Sequence, residues 1–541
     1  MDAAAVPEGS GEPRGGAPVG REGSGEPRGG APVGREGSGE PRDRRAGLVG
    51  GLVLAAVVLA LLVPFAGADP PAGLTGSNAT WTDEGFNLAN ARQRVLFGEF
   101  ATGDVDRSLT NGVYSAVAAG VFAVTRPRLA AGRAISMVAV AVAVLLLAAG
   151  LAAPLGAAAA LLAAAALGGA DLVLEYGRLA LVEPTVVALL TAAFVLAVRA
   201  PWRPSPWAGA GLGLALAAAV SVKAVAVVPA AAMLAVVLAT ALKRRHRAAL
   251  VMGLVALGTA LAAGLVWLVA VALPNADRLR TGLEIWPHVS YLAPPWTLAG
   301  RLGRYLAEGG DGAAWRSLPL LAAAGLGLAA LVGRWRRIGR AARDALVIAA
   351  LWGVGLWAAL GAGDYLPAHY AAPNRYVVPA LPGLAVLAGF GLAWLAGGLW
   401  RGRATVATVL ALAVAVPGAA GYLSAAVASG HQRERDQRVL AARLPSHAVV
   451  FGAYAPTLLF DTGTEVVTAW PPAGANVDDP VGRFGVSHVL ATDPADASDP
   501  IGQIPAFRGL RGLTVLARVR WGGRTIGLYG VAASPGAPAA R

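Results

Sequence analysis

Two adjacent carboxylates, Asp83 and Glu84, lie just past the first long apolar run of this 541-residue chain and open the segment DEGFNLANARQRVLFGEF. Phe86, Ala89, Val95 and Leu96 mark the apolar side of a helix there, with Arg92 and Arg94 left for its polar side. An acid ahead of a helical run caps free backbone N–H groups. Held at a membrane surface, the same carboxylate is a general base, and the two roles are compatible. An acidic pair also has the donors for a divalent metal, and no other cofactor is called for. Further charges interrupt apolar sequence at three places. Arg178 and Glu183 sit in LEYGRLALVEP, and Lys223 breaks an otherwise apolar block from Ala208 to Leu242. His369, Arg375 and Tyr376 belong to GDYLPAHYAAPNRYVVPALPG. Lone charges of this kind snorkel to headgroups or end helices, and tyrosines gather at membrane interfaces. Gathered into one place, the same cations would hold a phosphate, and His369 and Tyr376 a phosphate or a sugar. The six histidines are scattered with no H-x-x-x-H or H-E-x-x-H spacing, so zinc is not supported. Cysteine is absent, which excludes disulfides and thiol catalysis.

Those residues need elements to position them, and the composition states which kind. Charged residues make up 14% of the chain and hydrophobic residues 56%. A soluble protein carries about 25% charge, so this chain cannot coat several globules. Leu250–Leu273 and Val377–Trp400 contain no charge at all, and about 20 such residues span a bilayer. Despite a net charge of +13, the partner is the lipid bilayer and not nucleic acid.

Eleven apolar runs are expected to cross: Gly47–Ala66, Ala134–Ala153, Leu155–Leu172, Glu183–Val198, Ala208–Val222, Ala224–Leu242, Ala248–Leu273, Leu318–Val332, Asp344–Leu360, Tyr376–Leu399 and Ala404–Leu423. Basic clusters stay cytoplasmic. Arg42, Arg44 and Arg45 therefore hold the N-terminus inside, and Lys243–Arg247, Arg334–Arg343 and Arg401–Arg403 follow it. All of them fall inside only if a further apolar stretch, Leu109–Thr125, is re-entrant or interfacial, with Arg126, Arg128 and Arg133 as a local exception to the charge rule. The candidate residues then share the external face with everything after Leu423. A multi-pass plasma-membrane location follows, with the C-terminal part extracytoplasmic.

The two ends differ from this bundle. Residues 1–45 contain EGSGEPRGGAPVGR twice, at Glu8–Arg21 and Glu22–Arg35. With Gly, Pro and Ser and no apolar face, this tail is expected to be disordered. Residues 46–426 form the transmembrane part. In residues 427–541, short strand-like runs (AVVFGA, EVVTAW, VSHVLAT, LTVLAR, TIGLYGV) alternate with helix-prone pieces, the pattern of a small α/β domain. It carries no nucleotide-binding or nucleophile-elbow signature.

Asp83-Glu84, GRLALVEP at Gly177–Pro184, SVK at Ser221–Lys223 and NRYVVPALPGLAVL at Asn374–Leu387 occur in that order. The ordered set resembles the C-type (GT-C) integral-membrane glycosyltransferases that use polyprenyl-phosphate sugars, such as protein O-mannosyltransferases and lipid A aminoarabinose transferases. The chain departs from them in carrying Glu183 where many have Asp, and Leu109-Thr110-Asn111 in place of a Pro-Pro. The resemblance implies a mainly α polytopic bundle with a C-terminal α/β domain. It also implies transfer of a sugar from a polyprenyl-phosphate carrier to an external acceptor. Asp83 would be the catalytic carboxylate, with Arg178, Lys223 and Arg375 near the lipid-linked phosphate; some relatives use a divalent metal. Two other classes compete. A transporter or lipid-carrier flippase would want charges at mid-membrane and related inverted halves, and a scaffold would leave the external charges without a role.

Overall fold

A computed structural model of the chain describes residues 41–70, 79–100, 103, 106–284, 316–362, 374–399, 403–468, 479–492, 501, 504, 507, 513–521 and 524–531. The repeat tail up to residue 40 and His369 lie outside the described residues. The first helix, α1 (Pro41–Leu62), starts inside the stretch expected as tail. Proline fits a first helical turn, where its missing N–H is not needed, and no breaker follows before Pro64. Next come α2 (Ala79–Phe97), α3 (Gly112–Thr125), α4 (Leu129–Leu155), α5 (Ala157–Gly168), α6 (Asp171–Gly177) and α7 (Glu183–Arg199). The central run is α8 (Pro206–Val222), α9 (Val227–Lys243), α10 (Arg247–Trp267) and α11 (Ala276–Glu284). The last long helices are α12 (Leu318–Gly333), α13 (Arg340–Ala362), α14 (Leu381–Leu399) and α15 (Arg403–Ala428).

Each of the eleven apolar runs is mainly helical, and among the described residues seven helices are long and apolar enough to cross a membrane, or eight if the α5–α6 pair is one span. That pair bends by 58°. At Gly169, in the break, a Cβ would meet the Ala415 backbone at 2.5 Å; the close approach of α15 requires glycine there. A similar contact joins α12 to α14, where Gly327 lies against the backbone of Leu387. Small residues of this kind let membrane helices approach and gain van der Waals contact.

Helix α3 is, with α8 and α12, among the shorter apolar helices. Its 14 residues span about 21 Å, short of a hydrocarbon core of about 30 Å. Contacts at its two ends tie it to α2 and to the C-terminal part. Asn111, before its first turn, donates to Asn87 of α2, and the Leu129 N–H just beyond it donates to Asp461 in the C-terminal part.

The C-terminal part begins with α16 (Gln432–Ala441) and contains the short helices α17 (Ala455–Leu458) and α18 (Pro480–Phe484). Its strands are β1 (Val449–Phe451), β2 (Glu465–Val467), β3 (His488–Thr492), β4 (Thr514–Trp521) and β5 (Arg524–Gly530). They form one sheet in the order β2-β1-β3-β5-β4. The first three are parallel, while β5 runs antiparallel to both β3 and β4. Alternation along each strand supplies both faces. Val450, Leu490 and Leu528 enter one core, and Phe451, Val489 and Tyr529 enter the other. The five strands fall on the five runs legible in the sequence.

Candidate active site

Helix α2 starts at Ala79, so Asp83 is a full turn inside it and is not its cap. At about 100° per residue, Asp83 and Glu84 point in different directions. Glu84 turns inward, where its side chain is 1% exposed. Arg133 of α4 grips it twice, Nε to Oε1 at 2.8 Å and Nη2 to Oε2 at 2.7 Å. The Ala180 N–H donates to Oε1 as well, at 2.8 Å. The remaining nitrogen of Arg133 donates to the carbonyls of Ala66 and Ala68. Burial pushes the Glu84 carboxyl up, but Arg133 and the Ala180 N–H outweigh it and hold the group below its ordinary range.

Asp83 faces a different set. Its carboxylate pairs with Arg375, whose Nε lies 3.8 Å from Glu183 Oε1. Glu183 in turn pairs with Lys223. The Lys223 ammonium sits 4.0 Å from the Tyr376 ring centroid, and the Arg375 guanidinium 5.4 Å from it. Local structure explains each placement. Glu183 occupies the first turn of α7, where the helix dipole favours an acid, and Lys223 is the C-cap of α8, where it favours a cation. Arg375 and Tyr376 lie on a 3-10 turn, Asn374–Ala380. That turn is held by Trp352 of α13, whose indole donates to the Pro379 carbonyl at 2.7 Å. The Arg375 backbone N–H donates to the Tyr176 phenol oxygen.

Arg107, which the sequence did not single out, joins this group. It stacks 4.9 Å from the Phe86 ring centroid and lies within electrostatic reach of the Glu183 carboxylate. Burial lowers its pKa to about 10, so it stays charged at neutral pH. Asn90 fixes its loop by accepting the Arg107 N–H at 3.0 Å and donating to Phe100. Three cations, Arg107, Lys223 and Arg375, thus face two carboxylates, Asp83 and Glu183. The second Glu183 oxygen, Oε2, is buried with no hydrogen-bond donor among the described residues.

Arg178 has other partners. It is fully buried and donates to the carbonyls of Ala68 and Asp69 and to the Ser429 hydroxyl. Together with Arg133 it holds the chain leaving α1. Asp69 continues that strap by accepting the N–H groups of Gln432 and Arg433 at the start of α16. Burial raises the Asp69 carboxyl despite those two donors. Arg133 was legible only as an arginine on the wrong side for the loop-charge rule.

A divalent metal does not fit the acidic pair. The Glu84 oxygens are occupied by a guanidinium and an amide, Asp83 points elsewhere, and no group of three His, Asp or Glu gathers among the described residues.

No protein-family model matches the chain, and no curated protein matches it. Solved structures do. ArnT from Cupriavidus metallidurans in the apo state is similar over 90% of this chain and 98% of its own, at 15% identity and a TM-score of 0.62. The same protein bound to undecaprenyl phosphate covers 89% and 98%, at 15% identity and a TM-score of 0.58. An Archaeoglobus fulgidus oligosaccharyltransferase tethered to an acceptor peptide covers 82% and 69%, at 11% identity and a TM-score of 0.50. The chain has the GT-C fold of these membrane glycosyltransferases.

Proposed function

We propose that the protein transfers a sugar from a polyprenyl-phosphate carrier to an acceptor on the outer face of the membrane. One observation carries this reading. Asp83, Arg107, Glu183, Lys223 and Arg375 come from five separate stretches of chain and converge at one end of the bundle. Their single surplus positive charge suits the single negative charge of a phosphodiester. The similar fold of ArnT bound to undecaprenyl phosphate supports the choice of carrier. The reaction is one displacement at the anomeric carbon. An acceptor oxygen forms the new bond as Asp83 takes its proton, and the sugar–phosphate bond breaks with its electron pair going to the phosphate. Arg375, Lys223 and Arg107 stabilise the charge that develops there. Glu183 holds Lys223 and Arg375 in place and offers Oε2 to a substrate hydroxyl. Glu84 fixes α2 against α4 and takes no proton.

Membranes containing the protein, supplied with a radiolabelled polyprenyl-phosphate sugar, should release free polyprenyl phosphate and label an acceptor. Carrier that crosses the bilayer with its sugar still attached would favour the flippase reading instead. Lys223→Ala should raise KM for the donor about 10-fold and lower kcat less, since a charge-assisted contact contributes about 1.5–3 kcal/mol. An unchanged donor KM would remove Lys223 from the phosphate site.

Sidedness has its own test. Thr125 and Arg334 are both exposed, and the chain has no cysteine. In intact cells an impermeant maleimide should label Thr125→Cys and spare Arg334→Cys. The reverse pattern would put the cluster on the cytoplasmic face.

A further inference from the structure

Helix α2 presents three faces. Asp83, Asn87 and Asn90 share the face toward the charged cluster, and Glu84 and Leu88 share the one toward α4. Gly85, Arg92 and Gln93, seven and eight residues apart, share a third face. That third face is bound to the C-terminal part. Arg92 is 2% exposed and donates to three alternate carbonyls of the segment after α17: Nε to that of Phe460 at 2.8 Å, and Nη2 to those of Thr462 and Thr464 at 2.7 Å each. Gln93 continues the row, donating to the Val466 carbonyl in β2 at 2.8 Å. At the other end the Gly85 N–H donates to the Thr457 hydroxyl at 3.1 Å. A Cβ on Gly85 would lie 2.4 Å from the Pro456–Thr457 backbone, so the two elements touch two residues from Asp83.

We propose that the segment from Thr457 to Val466 clamps α2 and thereby sets the position of Asp83, with Arg92 as the positioning residue. The C-terminal α/β part then serves the membrane-embedded chemistry without contributing a reacting group. Its rigidity comes from the sheet: β2 is paired to β1 through a three-residue parallel register. Side-chain donors on α2 reach backbone carbonyls, which cannot swing away as side chains do. The proposal rests on the glycosyl-transfer reading only for its kinetic consequence; the clamp itself is a mechanical statement. Geometry is expensive to lose in such a site, because a misplacement of about 1 Å lowers turnover about 100-fold.

The test uses the full-length protein in detergent or nanodiscs. Amide hydrogen exchange is compared among wild type, Arg92→Ala, Arg92→Lys and Thr457→Val. Arg94→Ala is the control, because Arg94 is exposed on α2 and, among the described residues, bonds within its own segment. In Arg92→Ala, exchange across residues 83–97 and 457–467 should rise about 10-fold, with α4 and α14 unchanged. Sugar transfer should fall about 10- to 100-fold in kcat with little change in donor KM, since the phosphate-facing cations stand on other elements. Arg92→Lys should recover part of both effects, Thr457→Val should show a smaller version of each, and Arg94→Ala should match wild type. Unchanged exchange in α2 on loss of Arg92 overturns the clamp, whatever the activity. Raised exchange with wild-type kcat overturns the positioning of Asp83. A wild type that moves no sugar removes the glycosyl-transfer reading, and the exchange arm still decides the clamp. General loss of exchange protection in Arg92→Ala hands the decision to Thr457→Val, which removes one hydroxyl; wild-type exchange and kcat in that variant overturn the proposal.

Discussion

Asp83→Asn will insert and accumulate like the wild type while sugar transfer falls by about 10²–10⁴-fold, the usual contribution of a positioned general base. The substitution keeps size and shape and can still accept a hydrogen bond from Arg375, but removes the basicity. Position matters to this expectation. Because α2 begins at Ala79, Asp83 contributes nothing to capping, and a carboxylate kept 7% exposed beside Arg375 and Glu183 needs another explanation. The comparison is sugar transfer by equal amounts of folded wild type and variant. Near-equal rates would sink the catalytic assignment and bring the flippase reading forward.

Glu84→Gln will act first on stability: a large loss there, with turnover per folded molecule lowered far less than in Asp83→Asn, because Gln keeps the reach that holds α2 against α4 and the base stays in place. Removing one partner of a buried ion pair leaves the other charge uncompensated and costs about 3–5 kcal/mol. Arg133 would keep its carbonyl acceptors at Ala66 and Ala68 but lose its counter-charge. Replacing both partners, as in Glu84→Gln with Arg133→Met, should recover much of the loss, because a buried pair is often worth no more than apolar packing of similar volume. The pH dependence has a definite sign. A carboxyl held below its ordinary range contributes stability that is complete above the unfolded value of about 4.3. That stability is lost as the pH falls through the lower folded value. The gap in unfolding temperature between wild type and Glu84→Gln should therefore be full at neutral pH and shrink in acid. A variant as stable as wild type at pH 7 would show that the pair is not the anchor described. One with an Asp83→Asn-like loss of turnover would return Glu84 to the chemistry.

These two expectations separate neighbouring acids that the sequence could only group together. Much else was written locally. A long apolar run with little or no charge has no soluble alternative, and helix satisfies its backbone internally, so the eleven runs could be read as helices. Short runs rich in β-branched and other apolar residues between Gly, Pro and Asp mark strands, so the five strands were legible too. Arg375, Lys223 and Glu183 could be singled out because a charge inside apolar sequence is costly unless something receives it. What receives it is a different matter. Pairing depends on which elements pack together, and contacts 49 residues apart for Glu84 and Arg133, or 368 for Arg92 and Phe460, leave no periodic trace in a single chain. Arg178 illustrates the limit. By type and place it suited a phosphate, yet the fold turned it toward the carbonyls of Ala68 and Asp69. Arg107 illustrates the converse, a loop cation brought into the cluster by Asn90 and Phe86. The sequence determined which residues had to find partners, because desolvation is a property of each side chain and its neighbours in the chain. Tertiary packing alone decided the partners, because a charge is satisfied by whatever lies within a few ångströms in space.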